Sequence, residues 1–401
     1  MTARRAPCSP PGRPGARRGQ GGFSLVELMV SLTLTGILLA AVYNMFISST
    51  TVFQTQEEVA GAQYQLVTGM DRLISDLRRA GYGATPNSDI DPYACTVGGL
   101  RVQGLAVQEG AGKDEIKFNS FILPDELTIT GNFSTAKPFP ALANAINKRV
   151  TLQVSAQSGA NPYDAGATLL SEADFRTLFT PGRLVALRNS YGYTLIAPVA
   201  TANYPTLTFD SLSVNGRPRC TIEGTSSMVE VNPVDKVRYR IVRAYPQVEN
   251  SSATRLLREL VDKDDNVITG SEMVVTENAV DLQVWFMFRD GQAGNNVIVA
   301  DQDPTDASSN LAIKVDGTIQ ARPDFIRSAM VRLAVRTELD HSEILHRPRN
   351  GDGDRLLTFD VDGQPDNGAA PVLLLTAETE VPNFSLRDLT LAGGSLAAGG
   401  N

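Results

Sequence analysis

Twenty consecutive residues, Leu28 to Ile47 (LMVSLTLTGILLAAVYNMFI), carry no charge. A helix of that length is about 30 Å long, which matches the hydrocarbon thickness of a bilayer, so the segment can span a membrane. The charges around it are asymmetric. Arg4, Arg5, Arg13, Arg17 and Arg18 precede it with no acid among residues 1–22, and the first charges after it are Glu57 and Glu58. The arginine excess places the N-terminus in the cytoplasm and the bulk of the chain outside. Residues 1–22 are also rich in Pro and Gly and read as an address rather than a domain. An ordinary secretory signal has a shorter apolar region, roughly 7–15 residues. A plain membrane anchor fits the length but does not explain Glu27, because a carboxylate entering the bilayer unpaired is costly. Either Glu27 sits at headgroup level or it has a cationic partner.

The string Gly22-Phe23-Ser24-Leu25-Val26-Glu27-Leu28-Met29-Val30 resembles the type IV prepilin signature. A basic leader ends in Gly, a Phe follows, and a Glu stands at the fifth position of the mature chain ahead of the apolar helix. The resemblance covers residues 17–47, and the wider family comprises type IV pilins and type II secretion pseudopilins. It implies cleavage between Gly22 and Phe23 by prepilin peptidase, N-methylation of Phe23, and retention of the helix after cutting. Gly22 has no side chain, so a protease can approach its backbone closely. Cutting creates an amine at Phe23. Glu27 of a neighbouring subunit is its natural acidic partner, and in apolar surroundings that attraction would set the axial register between helices.

No proline occurs from Phe23 to Ala80, and 58 helical residues would extend about 87 Å. Beyond the membrane segment, Val52, Val59, Leu66 and Leu73 recur every seven residues, as do Phe53, Ala60, Val67 and Ile74, with Met70 and Leu77 on the same face. That stripe needs an apolar partner: a coiled coil or, as the pilin resemblance implies, the protein's own β-sheet. Arg78 and Arg79 fall in the expected last turn, with Gly81 as C-cap. Gly36, Gly61 and Gly69 are expected weak points. Many type IV pilins have a kinking proline in the membrane half; here Asn44 lies in that region instead.

Residues 82–401 read mainly as β structure. Val237, Tyr239 and Ile241 alternate with Arg238, Arg240 and Val242. Val280, Leu282, Val284, Phe286 and Phe288 alternate with Asp281, Gln283, Trp285, Met287 and Arg289, and Val331, Leu333 and Val335 with Arg332, Ala334 and Arg336. Period two marks half-buried strands. Asn215-Gly216, Asp290-Gly291, Asp316-Gly317 and Asp362-Gly363 mark tight turns. Ser171 to Phe179 reads as a short helix capped by Ser171. The expected fold is α+β and pilin-like, a long N-terminal helix on antiparallel sheet with a large additional β-rich lobe. The expected division is a leader over 1–22, a helix over 23–81 with its membrane span at 28–47, β-rich lobes over 82–230 and 231–391, and a flexible Gly/Ala-rich tail over 392–401. The Asn232-Pro233 pair sets the boundary near 230. Leu256 to Leu260, Val274 to Phe288 and Phe325 to Thr337 follow the order of segments in PilW-like minor pilins. That resemblance, with the size of the exposed region, points to a minor pilin.

At 401 residues, with 42% hydrophobic content, the chain can bury two or three cores. A net charge of −8 argues against nucleic acid as a partner. Two histidines and three cysteines exclude a disulfide-dense scaffold and argue against a Cys/His zinc site. Cys8 lies in the leader. Cys95 and Cys220 remain as a candidate disulfide in an oxidising compartment, two free thiols being the alternative. Asn350, Asp352 and Asp354 offer oxygens at alternate positions, as at the start of a calcium loop. Arg355 and Val361, however, stand where an EF-hand needs Gly and Glu, and solvated turns are the ordinary reading. The Asp262–Asp265 run and the Asp301, Asp303, Asp306 group are weaker candidates. His341 and His346, five apart, share no helix face. No nucleophile elbow, phosphate-cradling loop or His-based triad is present, so no enzymatic role and no cofactor is expected.

The resemblance implies prepilin peptidase, other minor and major pilins and an inner-membrane assembly platform as partners. It implies a single-pass inner-membrane precursor, periplasmic in bulk, that then enters a filament at the cell surface. The expected function is a minor pilin that primes or caps a type IV pilus. A tip pseudopilin of a type II secretion system and a membrane-anchored or pilus-tip adhesin are the alternatives.

Overall fold

The computed structural model describes residues 24–89, 91–153, 170–214, 216–249, 251–289, 296–299, 313–315, 318–320, 326–341, 344, 358–364 and 366–385. The chain divides after Glu57 into two units. Helix α1, Leu25–Leu77, is 53 residues long and runs uninterrupted through Gly36, Gly61 and Gly69. With no proline to remove a backbone donor, nothing in this stretch breaks the i to i−4 ladder. In the first unit, residues 24–54 are exposed throughout.

In the second unit α1 buries one narrow face: Ala62, Leu66, Gly69, Met70, Leu73, Asp76 and Leu77. The expected stripe was wider. Val67 is 52% exposed and Ala60 is exposed, whereas Leu66, Met70, Leu73 and Leu77 are at most 5% exposed. Gly69 proves to be a close approach rather than a weak point. A Cβ there would lie 3.2 Å from the Leu333 side chain and 3.4 Å from that of Thr276. The helix ends at Leu77, four residues before Gly81. Its exit is held by a side chain, as Asn383 Nδ2 donates to the carbonyls of Arg78 (3.2 Å) and Ala80 (3.0 Å). Gly81 adopts φ +73° in the turn that follows.

The strands of the first sheet, in chain order, are β1 (Ala94–Thr96), β2 (Leu105–Gln108), β3 (Glu126–Gly131), β4 (Phe139–Asn144), β5 (Arg149–Leu152), β6 (Leu184–Asn189), β7 (Thr194–Pro198), β8 (Thr201–Asn203), β9 (Thr206–Thr208), β10 (Ser227–Arg243), β11 (Thr254–Val261) and β12 (Met273–Glu277). Helix α2 (Glu172–Leu178) precedes β6, and the Ser171 hydroxyl accepts from Asp174 N at its start. The second sheet runs β14 (Asn296–Val299), β13 (Ala279–Arg289), β17 (Ile326–Arg336), β19 (Ala370–Glu380), β18 (Thr358–Phe359), and β15 (Ile313–Val315) pairs with β16 (Thr318–Gln320). Pairing is antiparallel among these strands except between β1 and β7. Helix α3 (Pro382–Ser385) brings the fully buried Phe384 against Gly81 and Gly104.

Two main cores result. The first contains the buried face of α1, Leu105 and Val107 of β2, Leu127 and Ile129 of β3, Val237, Tyr239 and Ile241 of β10, and the inner faces of β13 and β17. The second contains Cys95, Phe175, Phe179, Val185, Leu187, Leu195, Leu207 and Cys220, with Val229 and Val231 of β10. The boundary expected near 230 therefore falls inside one continuous strand. The first half of β10 pairs with β4 over Ser227–Val231 and with β6 over Val229–Val234. Its second half pairs with β3 from Asp235 and with β11 from Lys236. Pro233, which has no N–H to donate, sits where β10 has left β4 and not yet met β3. The proline marks an exchange of partners, not a linker. The cores also do not split the chain at one point, since β2 and β3 join the helix core from within 82–230.

Candidate assembly helix and the disulfide lobe

The backbone N–H of Leu28 donates to the Ser24 carbonyl (3.1 Å), so the first turn of α1 closes on the residue after Phe23. Glu27 lies in that turn, where the positive end of the helix dipole favours a carboxylate. It is exposed. The apolar side chains that follow are exposed as well: Leu28 53%, Leu38 63% and Phe46 65%. By length and composition α1 can cross a membrane. The hydroxyls of Ser31, Thr33 and Thr35 do not prevent this, because they are bonded within the helix. Ser31 Oγ donates to the Glu27 carbonyl (2.7 Å), Thr33 to Val30 (2.9 Å) and Thr35 to Ser31 (2.7 Å). Each bond spares a polar group from meeting hydrocarbon unpaired. Gly22 and Phe23 lie outside the described residues.

At its other end α1 docks through a buried charge. Asp76, 4% exposed, accepts from Tyr239 Oη (2.7 Å) and from Arg258 Nε (2.7 Å). Burial and the Asp76 carboxylate both push the Tyr239 phenol well above its ordinary pKa, so it stays a donor. Nothing in the sequence singles out Asp76. It reads as one more charge on a helix, and its partners lie 163 and 182 residues away.

Cys95 of β1 and Cys220 are bonded, with Cα atoms 6.1 Å apart and a sequence separation of 125. Both are buried in the second core, and the bond ties the Pro218–Cys220 turn to the β1 edge.

Asn350, Asp352, Asp354, His346, Asp301, Asp303 and Asp306 lie outside the described residues, as does the tail over 392–401. His341 Nε2 lies 3.3 Å from Glu58 Oε2 on α1. The Asp262–Asp265 run is a lysine-paired turn: Asp262 Oδ1 accepts from Asp264 N (2.8 Å) and Asn266 N (2.9 Å), Lys263 pairs with Asp264, and Lys236 with Asp265. Sequence reading missed the grouping of Asp340, Asp360 and Asp362, whose ligand oxygens lie within 4.8 Å of one another. Asp360 already accepts from Gly363 N (2.7 Å), and Asp362 from Gln364 N (2.8 Å) and Asn367 Nδ2 (3.1 Å), which are the bonds of an ordinary acidic turn.

Residues 17–43 match the family model of the prokaryotic N-terminal methylation motif. No curated protein and no solved structure matches the chain. The motif implies processing by prepilin peptidase and assembly with other pilins, and α1 is consistent with membrane anchoring. Together the basic leader, Glu27 and the exposed apolar start of α1 support placing this chain among the type IV pilin-like proteins, prepilins and pseudopilins together.

Proposed function

We propose that the chain is a minor pilin of the PilW-like kind, which primes or caps a type IV pilus after prepilin peptidase cuts between Gly22 and Phe23. The observation that carries this reading is the exposed apolar surface of α1 with Glu27 at its head. That surface suits lipid before assembly and neighbouring helices after it. The role is structural: α1 supplies axial packing, Glu27 pairs with the Phe23 amine of the next subunit, and the β-rich unit sits at the growing end. The large unit disfavours a repeating shaft subunit. A tip pseudopilin of a type II secretion system shares the motif, and the phenotype of a deletion separates the two: loss of pili for the minor pilin, loss of secretion with pili intact for the pseudopilin. The test of the mechanism is Glu27→Leu. The variant is expected in the inner membrane at normal amount but absent from sheared filaments, and normal entry into filaments overturns the role given to Glu27.

A further inference from the structure

The second core carries an open cleft of about 770 Å³ on its surface, within the roughly 300–1,000 Å³ range of small-ligand sites. It opens where β6 ends. The β6–β10 pairing begins at Asn189–Val229, and Ser227 and Met228 of β10 continue past it, paired on the other side with β4. One wall is the β6–β7 turn with Tyr191 and Tyr193, and the other is the disulfide-held Pro218–Cys220 turn with Arg219.

These walls are set without a ligand. Asn189 Oδ1 accepts from the backbone N–H groups of Tyr191 (3.1 Å) and Tyr193 (3.0 Å). Its Nδ2 donates across to the Arg219 carbonyl (2.9 Å). Arg219 Nη1 donates to Tyr193 Oη (3.0 Å), and the Tyr193 ring packs on Tyr93 with centroids 5.5 Å apart. A preorganised site loses less entropy on binding.

The chemistry on offer is specific. Tyr191 is 83% exposed and Met228 65%, so broad apolar faces stand open to water beside the cleft. Arg219 and Glu223, both exposed and of opposite sign, supply donors and an acceptor. A ligand with net charge of either sign meets one like charge here. A neutral ring with C–H groups on its face and hydroxyls on its rim satisfies both the aromatic surface and the two opposite charges. We propose that this cleft binds a carbohydrate, with Tyr191 as the stacking platform and Arg219 and Glu223 as the hydroxyl-binding pair. The site stands whether or not the chain enters a filament.

The test is an array of immobilised oligosaccharides ending in mannose, galactose or N-acetylglucosamine. It is probed with the full chain in lauryldimethylamine oxide, a detergent without a sugar headgroup. Binding to at least one class is expected, falling at least tenfold in Tyr191→Ala and in Arg219→Ala and retained in Tyr191→Phe, which keeps the ring. Both side chains are exposed, so unchanged melting temperatures establish that the variants are folded. Binding to no member, or binding unaffected by Tyr191→Ala, overturns the proposal. Self-association abolished by Tyr191→Ala also overturns it, and makes the cleft a contact between copies. The readout is sugar binding and not filament entry, so its failure leaves the pilin reading untouched, and the reverse.

Discussion

The most exposing perturbation of the fold is Asp76→Ala. The carboxylate is 4% exposed and holds two donors at 2.7 Å, the hydroxyl of the fully buried Tyr239 and the Nε of Arg258, which is 9% exposed. Removing it leaves a buried guanidinium without its closest anion and a buried phenol without its acceptor. Loss of one partner of a buried ion pair costs about 3–5 kcal/mol. Tyr239→Phe removes a single hydrogen bond to a charged group and should cost less, about 1.5–3 kcal/mol. Asp76→Ala combined with Arg258→Met should fall short of the sum of the single changes, by a coupling of about 0.5–3 kcal/mol, because the second substitution removes the stranded charge. The assay is urea unfolding of the detergent-solubilised chain followed by tryptophan fluorescence. The chain has a single tryptophan, and it lies at Trp285 on β13, a strand of the same core. A cost below about 1 kcal/mol for Asp76→Ala, or strict additivity in the double variant, refutes the claim that this network docks the helix.

Replacing both Cys95 and Cys220 by Ser should lower stability by about 5 kcal/mol on the chain-entropy model for a loop this long, read as a fall in melting temperature. Non-reducing mass spectrometry of the unmodified chain should find neither sulfur alkylatable. Gly104→Ala places a Cβ 2.5 Å from Cζ of the buried Phe384, which must move, at a cost of about 1–3 kcal/mol in the same urea assay. Asp125 supplies the pH test. Burial raises its pKa from 3.8 to about 7, against the opposing backbone bonds from Val284 and Gly110. The folded state therefore holds a proton that the unfolded state releases, and stability falls as pH rises from about 4 to about 7, then levels off. The slope from this group is at most about 1.4 kcal/mol per pH unit. Asp125→Asn should be flatter between pH 5 and 7, and equal slopes in the two proteins contradict the assignment.

Much of this organisation is legible in the sequence because its signals are local. The uncharged run with Glu27 ahead of it, and the absence of proline up to Ala80, need only near neighbours to be read. The alternating runs around Val237, Leu282 and Leu333 place Val237, Tyr239, Ile241, Val280, Leu282, Val284, Phe286, Val331, Leu333 and Val335 in the first core. What stayed hidden depends on distant partners. The short strands β2 and β3 join the helix core although they lie in the half of the chain assigned to another lobe. Gly69 has meaning only beside Leu333 and Thr276, and Asp76 only beside Tyr239 and Arg258. Pro233 is read locally as a break because a proline that falls between two partner strands looks the same as one in a linker. The cleft beside Tyr191 arises from three separate segments, two of them linked by Asn189 and one tied to β1 by the disulfide, and no local spacing encodes it.

In the proposed assembly, cutting before Phe23 frees α1 to pack into a filament. Intact-mass and N-terminal analysis of the chain from inner membrane and from sheared filaments tests it most directly. A mature chain beginning at N-methylated Phe23, present in filaments at low abundance, is expected. A chain still carrying residues 1–22, or one cut beyond the apolar part of α1, contradicts it.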